Sequence, residues 1–298
     1  MALQHIGITS PGDMGQAVAQ CLRASGFTVH TALAGRSERT RTLAREAGLH
    51  DCGSMQDLVA TCDMILSILN PAAAIENARA AAAAMQAAAR SCLFADCNAI
   101  APRTAMEIDR IIRDGGGACI DVGIIGAPPR GRTSTRVYAS GPQAALMKPL
   151  AGPNLDIRVI SERIGDASAI KMCYASYSKG AVALGVEMLM AARLLGVDAA
   201  LEQELRESMA ESRDWIIGRT TTMPPKAYRW VPEMLEIART FEDTGMTPRM
   251  LLGAADMFEM IARTALGSES PETARARGRS GATIIEELAR RGDPGDAA

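Results

Sequence analysis

The chain carries no excess of either charge: Lys and Arg number 32, Asp and Glu 34, for a net charge of −2. Binding a nucleic-acid backbone needs clustered cations. The arginine-rich stretches here are interleaved with glutamate, as on solvated helix faces, so nucleic acid is not an expected partner. Histidine is scarce. His5, His30 and His50 are the whole supply and none stands in a ligand-like sequence cluster, so no metal is expected. The seven cysteines, at 21, 52, 62, 92, 97, 119 and 173, form no CxxC pair. A chain of 298 residues with 48% apolar content builds its core without staples. These cysteines therefore read as reduced, mostly buried thiols of a cytoplasmic protein. No basic segment followed by a long apolar run opens the sequence. The alanine-rich run 78–89 lacks the bulk and length of a membrane span, and Glu76, Arg79, Gln86 and Arg90 give it a polar side. No membrane partner is expected.

What is present is a rhythm. In the first half, short apolar runs (Leu3–Ile8, Thr28–Leu33, Met64–Leu69, Cys92–Ala95, Ala118–Ile124) alternate with helix patterns (Met14–Ala24, Arg39–Ala47, Met55–Ala60, Ala72–Ala89, Arg103–Arg113). A short strand near Leu49 and edge strands at Thr135–Ala139 and Asp156–Ile160 complete the set. Such alternation predicts a mostly parallel sheet covered on both faces. After about Ser161 the pattern turns helical. One long segment spans 167–195, with Gly180 and Gly185 inside it, and close packing on another helix is the expected reason for these glycines. Leu201–Arg213, Pro232–Thr240 and Met250–Leu266 continue the helices, and the last fifteen residues taper through Gly, Asp and Pro. The expected class is α/β: a doubly wound sheet domain over 1–162, then an all-helical domain over 163–298.

The turn after the first strand reads SPGDMG, with Ser10, Gly12, Asp13, Met14 and Gly15 opening a helix. Two glycines there let backbone approach a pyrophosphate, whose charge the helix amides receive. The usual first glycine of such a turn is replaced by Ser10. At the end of the second strand an NAD site places an acid on the ribose. Here no acid stands, and Arg36 and Ser37 follow, with Arg39 and Arg41 as solvated helix charge. Arginine with a nearby hydroxyl suits a ribose phosphate, so NADP is expected over NAD.

The chain resembles the beta-hydroxyacid dehydrogenase family, which includes 3-hydroxyisobutyrate and 6-phosphogluconate dehydrogenases. The likeness rests on GITSPGDMG at 7–15, SILNP at 67–71, DCNAIAP at 96–102, DVGIIGAPPRG at 121–131, YASGP at 138–142, GDASAIKMCYA at 165–175 and RWVPEMLEIARTFEDTG at 229–245. It implies a Rossmann-type domain followed by a helical one that carries substrate contacts and often a homodimer interface. It implies that Leu69, Asn70 and Pro71 lie against the cofactor, that Asn98 approaches the nicotinamide side, and that Lys171 is the general acid/base at the substrate oxygen.

The departures from that family define a divergent branch. Ile125 stands where relatives carry a serine in the loop that binds the substrate carboxylate, leaving backbone near Gly123 and Gly126 for an anion. Tyr174 and Ala175 replace the asparagines after the lysine, and Ser178 replaces a glutamate of the 6-phosphogluconate enzymes. The family's Lys-Asp pair falls on Pro232 and Glu233.

On a helix, Lys171, Tyr174 and Ser178 share a face. Hydride transfer at an alcohol needs a group that moves the hydroxyl proton, and Lys171 is the expected one, with Tyr174 beside it. Ser178 is a substrate candidate that otherwise bonds the helix backbone, and Lys179 reads as a salt-bridging residue. Trp230 is a candidate pocket wall. Glu233 is a substrate candidate or a charge complementing a helix start at Pro232. The expected activity is NADP-dependent oxidoreduction of a small hydroxy acid. An imine reductase and an NADP-binding protein without turnover are the alternatives.

Overall fold

The computed structural model describes residues 3–290. The first half runs β1 (His5–Ile8), α1 (Asp13–Ala24), β2 (Thr28–Thr31), α2 (Glu38–Glu46), β3 (His50–Asp51), α3 (Met55–Thr61), β4 (Met64–Ser67), α4 (Ala74–Ala88), β5 (Leu93–Asp96), α5 (Pro102–Asp114), β6 (Ala118–Ile125), β7 (Thr135–Ser140) and β8 (Leu155–Ser161). These strands form one sheet in the order β3-β2-β1-β4-β5-β6-β7-β8. All neighbours are parallel except β6 and β7. The chain leaves β1 toward one edge and later returns to β4 on its other side, so a crevice opens between the carboxyl ends of β1 and β4. Ligands of open parallel sheets bind at such a switch point.

Alternation along the strands sends side chains to both faces. On one face Ile6, Ile8, Leu66 and Ile120 pack against Val18, Ala19 and Leu22 of α1 and against Met147 and Leu150. On the other, Ile65, Phe94 and Cys119 pack against α3, α4 and α5 through Leu58, Ala78, Ala81, Ile108 and Ile112. Local chemistry fixes the helix ends. Ser37 and Ser54 cap α2 and α3 through their hydroxyls, and Pro102 occupies the first turn of α5.

The remaining elements are helical: α6 (Asp166–Leu194), α7 (Asp198–Ser208), α8 (Ala210–Thr220), α9 (Ala227–Asp243), α10 (Arg249–Ala262), α11 (Pro271–Arg277) and α12 (Gly281–Ala289). By its contacts the chain divides into two compact units between Met172 and Cys173, so the first turns of α6, with Lys171, belong to the sheet unit. No helix among the described residues is long and apolar enough to cross a membrane.

Several sequence expectations change here. The single helix expected over Leu201–Arg213 is two helices, because Met209 leaves the helical region at φ −142°, ψ 39°. The helix expected to begin at Pro232 begins at Ala227, and a short 3-10 turn at Pro224–Lys226 feeds it, so Pro232 lies inside α9. Gly185 does pack tightly: a Cβ there would meet Ile216 at 2.7 Å. Gly180 does not, having nothing within 4 Å of its virtual Cβ. The expected taper is overturned as far as Ala289, which α12 reaches with Ser280 as cap. Residues 291–298 lie outside the described residues. All seven cysteines are free; four are buried and Cys173 is exposed.

Candidate functional site

The turn after β1 is tight. Gly12 N–H donates to the Ser10 carbonyl at 2.8 Å. A Cβ on Gly15 would stand 2.4 Å from that same carbonyl oxygen, so only glycine allows this approach. Gly12 faces open space, with nothing within 4 Å of its virtual Cβ. Ser10 replaces a glycine without strain, since Ala89 is the only described non-glycine residue at positive φ. Asp13 begins α1, and Met14 packs on the sheet core. Thr9, at the head of this turn, is 2% exposed, and its hydroxyl is the one buried side-chain polar atom without a partner among the described residues.

Beyond β2, Gly35 adopts φ +70° and turns the chain so that Arg36 reaches back. Its Nη2 donates to the Thr9 carbonyl at 2.9 Å, while Arg41 Nε donates to the Arg36 carbonyl at 3.2 Å. A fixed guanidinium therefore stands beside the glycine turn. Ser37 follows it, with its Oγ accepting the Thr40 N–H at 3.3 Å as the cap of α2. The open side of Gly12, the orphan Thr9 hydroxyl and the Arg36 cation together fit an NAD(P)-type dinucleotide.

At the ends of β4 and β5 a buried polar network holds the crevice rim. Asn98 is 3% exposed. Its Oδ1 accepts Leu69 N–H at 2.7 Å, and its Nδ2 donates to Ser67 Oγ and Asp96 Oδ2, each at 2.9 Å. The Asn98 side chain is thus spent on the fold, and it acts by fixing Leu69. Asn70 caps a 3-10 turn that starts at Pro71, accepting Ala72 N–H at 3.1 Å. Burial pushes the Asp96 carboxyl up to about 7; the Asn98 hydrogen bonds oppose the shift and the charge of Asp121 adds to it.

Asp121, opposite Asp96 in the β5–β6 register, anchors α6. Its Oδ2 accepts Gly165 N–H, Ser168 N–H and Ser140 O–H at 2.9, 3.0 and 2.9 Å, and Oδ1 accepts Ser168 O–H at 2.6 Å. Burial raises its pKa against those bonds. The carboxylate thus caps the helix that presents Lys171 one turn later. Gly123 lets β6 meet that helix. A Cβ there would lie 2.4 Å from the Ala167 carbonyl and 3.0 Å from Lys171 Cβ. Gly123 is thereby a packing glycine opposite Tyr138 of β7. Lys171 is half-buried. Because β1, β4, β5 and β6 are parallel, it stands at the same carboxyl edge of the sheet as the glycine turn. Ile125 is buried in β6, and Gly126 follows, exposed, at φ +131°.

In the helical unit, Tyr174 is 47% exposed. Ser178 is half-buried and makes none of the backbone hydrogen bonds expected of it among the described residues; that bond belongs to Ser176, whose Oγ donates to the Cys173 carbonyl at 2.8 Å. Lys179 Nζ pairs with Glu233 Oε1 at 2.8 Å, both largely buried, and lies 5.5 Å from the Trp230 ring centre. Trp230 packs edge-on to Phe258 with ring centres 5.0 Å apart. Glu233 therefore does not complement a helix start; it sits mid-helix and neutralises Lys179.

A family model for the NAD binding domain of 6-phosphogluconate dehydrogenase matches residues 5–151, and a domain of unknown function (DUF1932) matches 192–261. An uncharacterized 28.5 kDa protein of Methanothermus fervidus is 26% identical over 86% of this chain and 98% of its own length. Among solved structures, a conserved protein of unknown function, described as structurally similar to 3-hydroxyacid dehydrogenases, is 29% identical. The match covers 93% of this chain and all of the other, at a TM-score of 0.62. A 3-hydroxyisobutyrate dehydrogenase from Salmonella typhimurium shares the fold at 16% identity, 95% and 99% coverage and a TM-score of 0.68. The chain is a divergent member of the 3-hydroxyacid dehydrogenase/6-phosphogluconate dehydrogenase-like NAD(P)-binding superfamily.

Several of this superfamily member's site features lay outside sequence reasoning. Arg130, on the β6–β7 loop, reaches the first turn of α1 and pairs with Asp13 at 2.7 Å. Asp96, at the end of β5, and Asp121, inside β6, stood in the sequence only within the stretches DCNAIAP and DVGIIGAPPRG. The three histidines, distant in sequence, line up across β1, β2 and β3, with His5 Nδ1 3.1 Å from His30 Nε2 and His30 5.5 Å from His50 between ring centres. No group of three or more His, Cys, Asp or Glu among the described residues is placed to hold a metal ion.

Proposed function

We propose that the protein is an NADP-dependent oxidoreductase acting on a small hydroxy acid or its keto or aldehyde counterpart. The observation that supports this reading is where the chain carries Lys171: its Cβ lies 3.0 Å from the virtual Cβ of Gly123 in β6, on the start of α6 that Asp121 caps. In this reading Ser10, Gly12, Asp13, Met14, Gly15 and the amides of α1 hold the pyrophosphate. Arg36 and Ser37 take the ribose phosphate, and Leu69, Asn70, Pro71 and the Asn98 segment flank the rest. When bound, NADP supplies or accepts the hydride.

The chain's own part is the proton. As an alcohol is oxidised, its hydroxyl proton passes to the neutral Lys171 amine while the hydride leaves with both electrons. In reduction the Lys171 ammonium returns the proton to the carbonyl oxygen. Tyr174 is the second polar group, assigned to orient the substrate oxygen. The backbone of Gly126, beside Gly123 and Ile125, is assigned to the substrate carboxylate; Ser178, Trp230 and Glu233 stay substrate candidates of the helical unit. The domain division at 162/163, a homodimer through the helices and a cytoplasmic setting belong to the same proposal.

The test is an NADPH-oxidation screen over small keto acids, aldehydes, ketones and cyclic imines, with turnover expected on a keto or aldehyde acid. Turnover of cyclic imines alone would favour imine reduction, and binding of NADPH with no turnover would favour a sensing role. For the cofactor, Arg36→Ala is expected to weaken NADPH about tenfold or more and leave NADH unchanged. An unaltered NADPH/NADH ratio contradicts the phosphate assignment.

A further inference from the structure

We propose that Arg130 is a phosphate ligand of the dinucleotide, contacting the pyrophosphate shared by NADP and NAD; this rests on the cofactor reading above. Asp13 is the starting point. An acid in the first turn of a phosphate-binding helix places negative charge where a diphosphate must sit, next to the open side of Gly12. Arg130 offsets it. Its Nη2 lies 2.7 Å from Asp13 Oδ1 and donates to the Asp13 carbonyl at 3.1 Å and to Gln16 Oε1 at 2.9 Å. One nitrogen makes all these contacts. Among the described residues Nη1 and Nε have no hydrogen-bond partner, so their N–H groups remain as single donors to an anion. Those single donors and the positive charge suit the oxygens of a phosphate.

The loop that carries Arg130 is built to hold it there. Asn154 Nδ2 donates to the Gly131 and Thr133 carbonyls at 2.9 Å each, Thr135 Oγ1 donates to the Ala127 carbonyl at 2.5 Å, and Cys21 of α1 donates through Sγ to the Pro129 carbonyl at 3.5 Å. Gly131 turns the chain at φ +58° directly after the arginine. The buried, unpartnered Thr9 hydroxyl at the head of the same turn is an independent sign that this end of the sheet is shaped for a ligand. Arg36 and Arg130 then divide the work. The first reads the ribose phosphate and sets the preference for NADP. The second binds what both cofactors share and cancels Asp13.

The experiment titrates NADPH and NADH into the full-length protein, following binding by fluorescence, for wild type, Arg130→Ala, Arg130→Gln, Asp13→Asn and the double variant Arg130→Ala/Asp13→Asn. Loss of Arg130 is expected to weaken both cofactors by a similar factor, about tenfold or more. The double variant is expected to regain much of the loss, because the uncompensated carboxylate is gone. Arg130→Gln guards against a folding defect, since it retains a donor toward Gln16. Unchanged affinity in folded Arg130→Ala or Arg130→Gln would overturn the assignment and leave Arg130 a loop latch. Loss confined to NADPH would overturn it as well. A wild-type protein that binds neither cofactor overturns the cofactor reading itself, and this assignment with it.

Discussion

Single side chains at the crevice rim carry a pH signature. Asp96 titrates near 7 in the folded protein and near 4 once unfolded. Between those values the folded state holds a proton that the unfolded chain has released, so rising pH favours unfolding. Stability is expected to fall by roughly 2–4 kcal/mol from about pH 4 to about pH 7 and then level off. His30 acts with the opposite sign. Burial, then the charges of His5 and His50, lower its pKa, so it removes stability as pH falls below about 6.5. Urea midpoints across this range for wild type and Asp96→Asn isolate the first effect, since His30 contributes equally to both. A wild-type-minus-variant difference in midpoint that stays constant from about pH 4 to about pH 7 contradicts the assignment. The tight turn at Gly15 and the Lys179 ion pair were legible in sequence because they follow from a local turn and a residue type. Asp96, Arg130 and the histidine row were not, because their partners arrive from strands and loops distant along the chain.

At the scale of elements, α6 owes its position to a strand. Asp121 takes up the first amides of the helix, and Gly123 removes the Cβ that would push the helix from β6. Ser168→Ala deletes one charged hydrogen bond of this cap and is expected to cost about 1.5–3 kcal/mol, read as a lower urea midpoint. The sheet unit should feel it, and turnover should fall with cofactor affinity unchanged, because Lys171 lies one turn beyond the cap. An unshifted midpoint would show that the cap is not what holds the helix. The alternating pattern announced every strand of the sheet and the long helix; burial on both faces leaves an apolar run in β4, β5 and β6, while β3 and β8 are largely exposed edge strands. The break at Met209 and the helices α11 and α12 escaped notice. Both are short and start on serine caps; α11 buries no residue that would mark it, whereas α12 does carry an apolar stripe in Ile284, Ile285 and Leu288.

At the scale of the whole molecule, the chain joins a nucleotide-binding sheet to a helical unit, and α6 runs from one into the other. The sheet is the more legible half, because a parallel βα sequence has few ways to fold and one place to bind. The helical unit kept more of itself hidden; its candidate contacts Trp230 and Glu233 prove engaged with Phe258 and Lys179. The central proposal is that Lys171 carries a proton beside a bound dinucleotide. The most direct measurement compares wild type and Lys171→Ala on whichever keto or aldehyde acid the screen identifies, with NADPH affinity measured in parallel. The account predicts that kcat falls about 10²- to 10⁴-fold while the cofactor binds as before. A Lys171→Ala enzyme that turns over at the wild-type rate would contradict it.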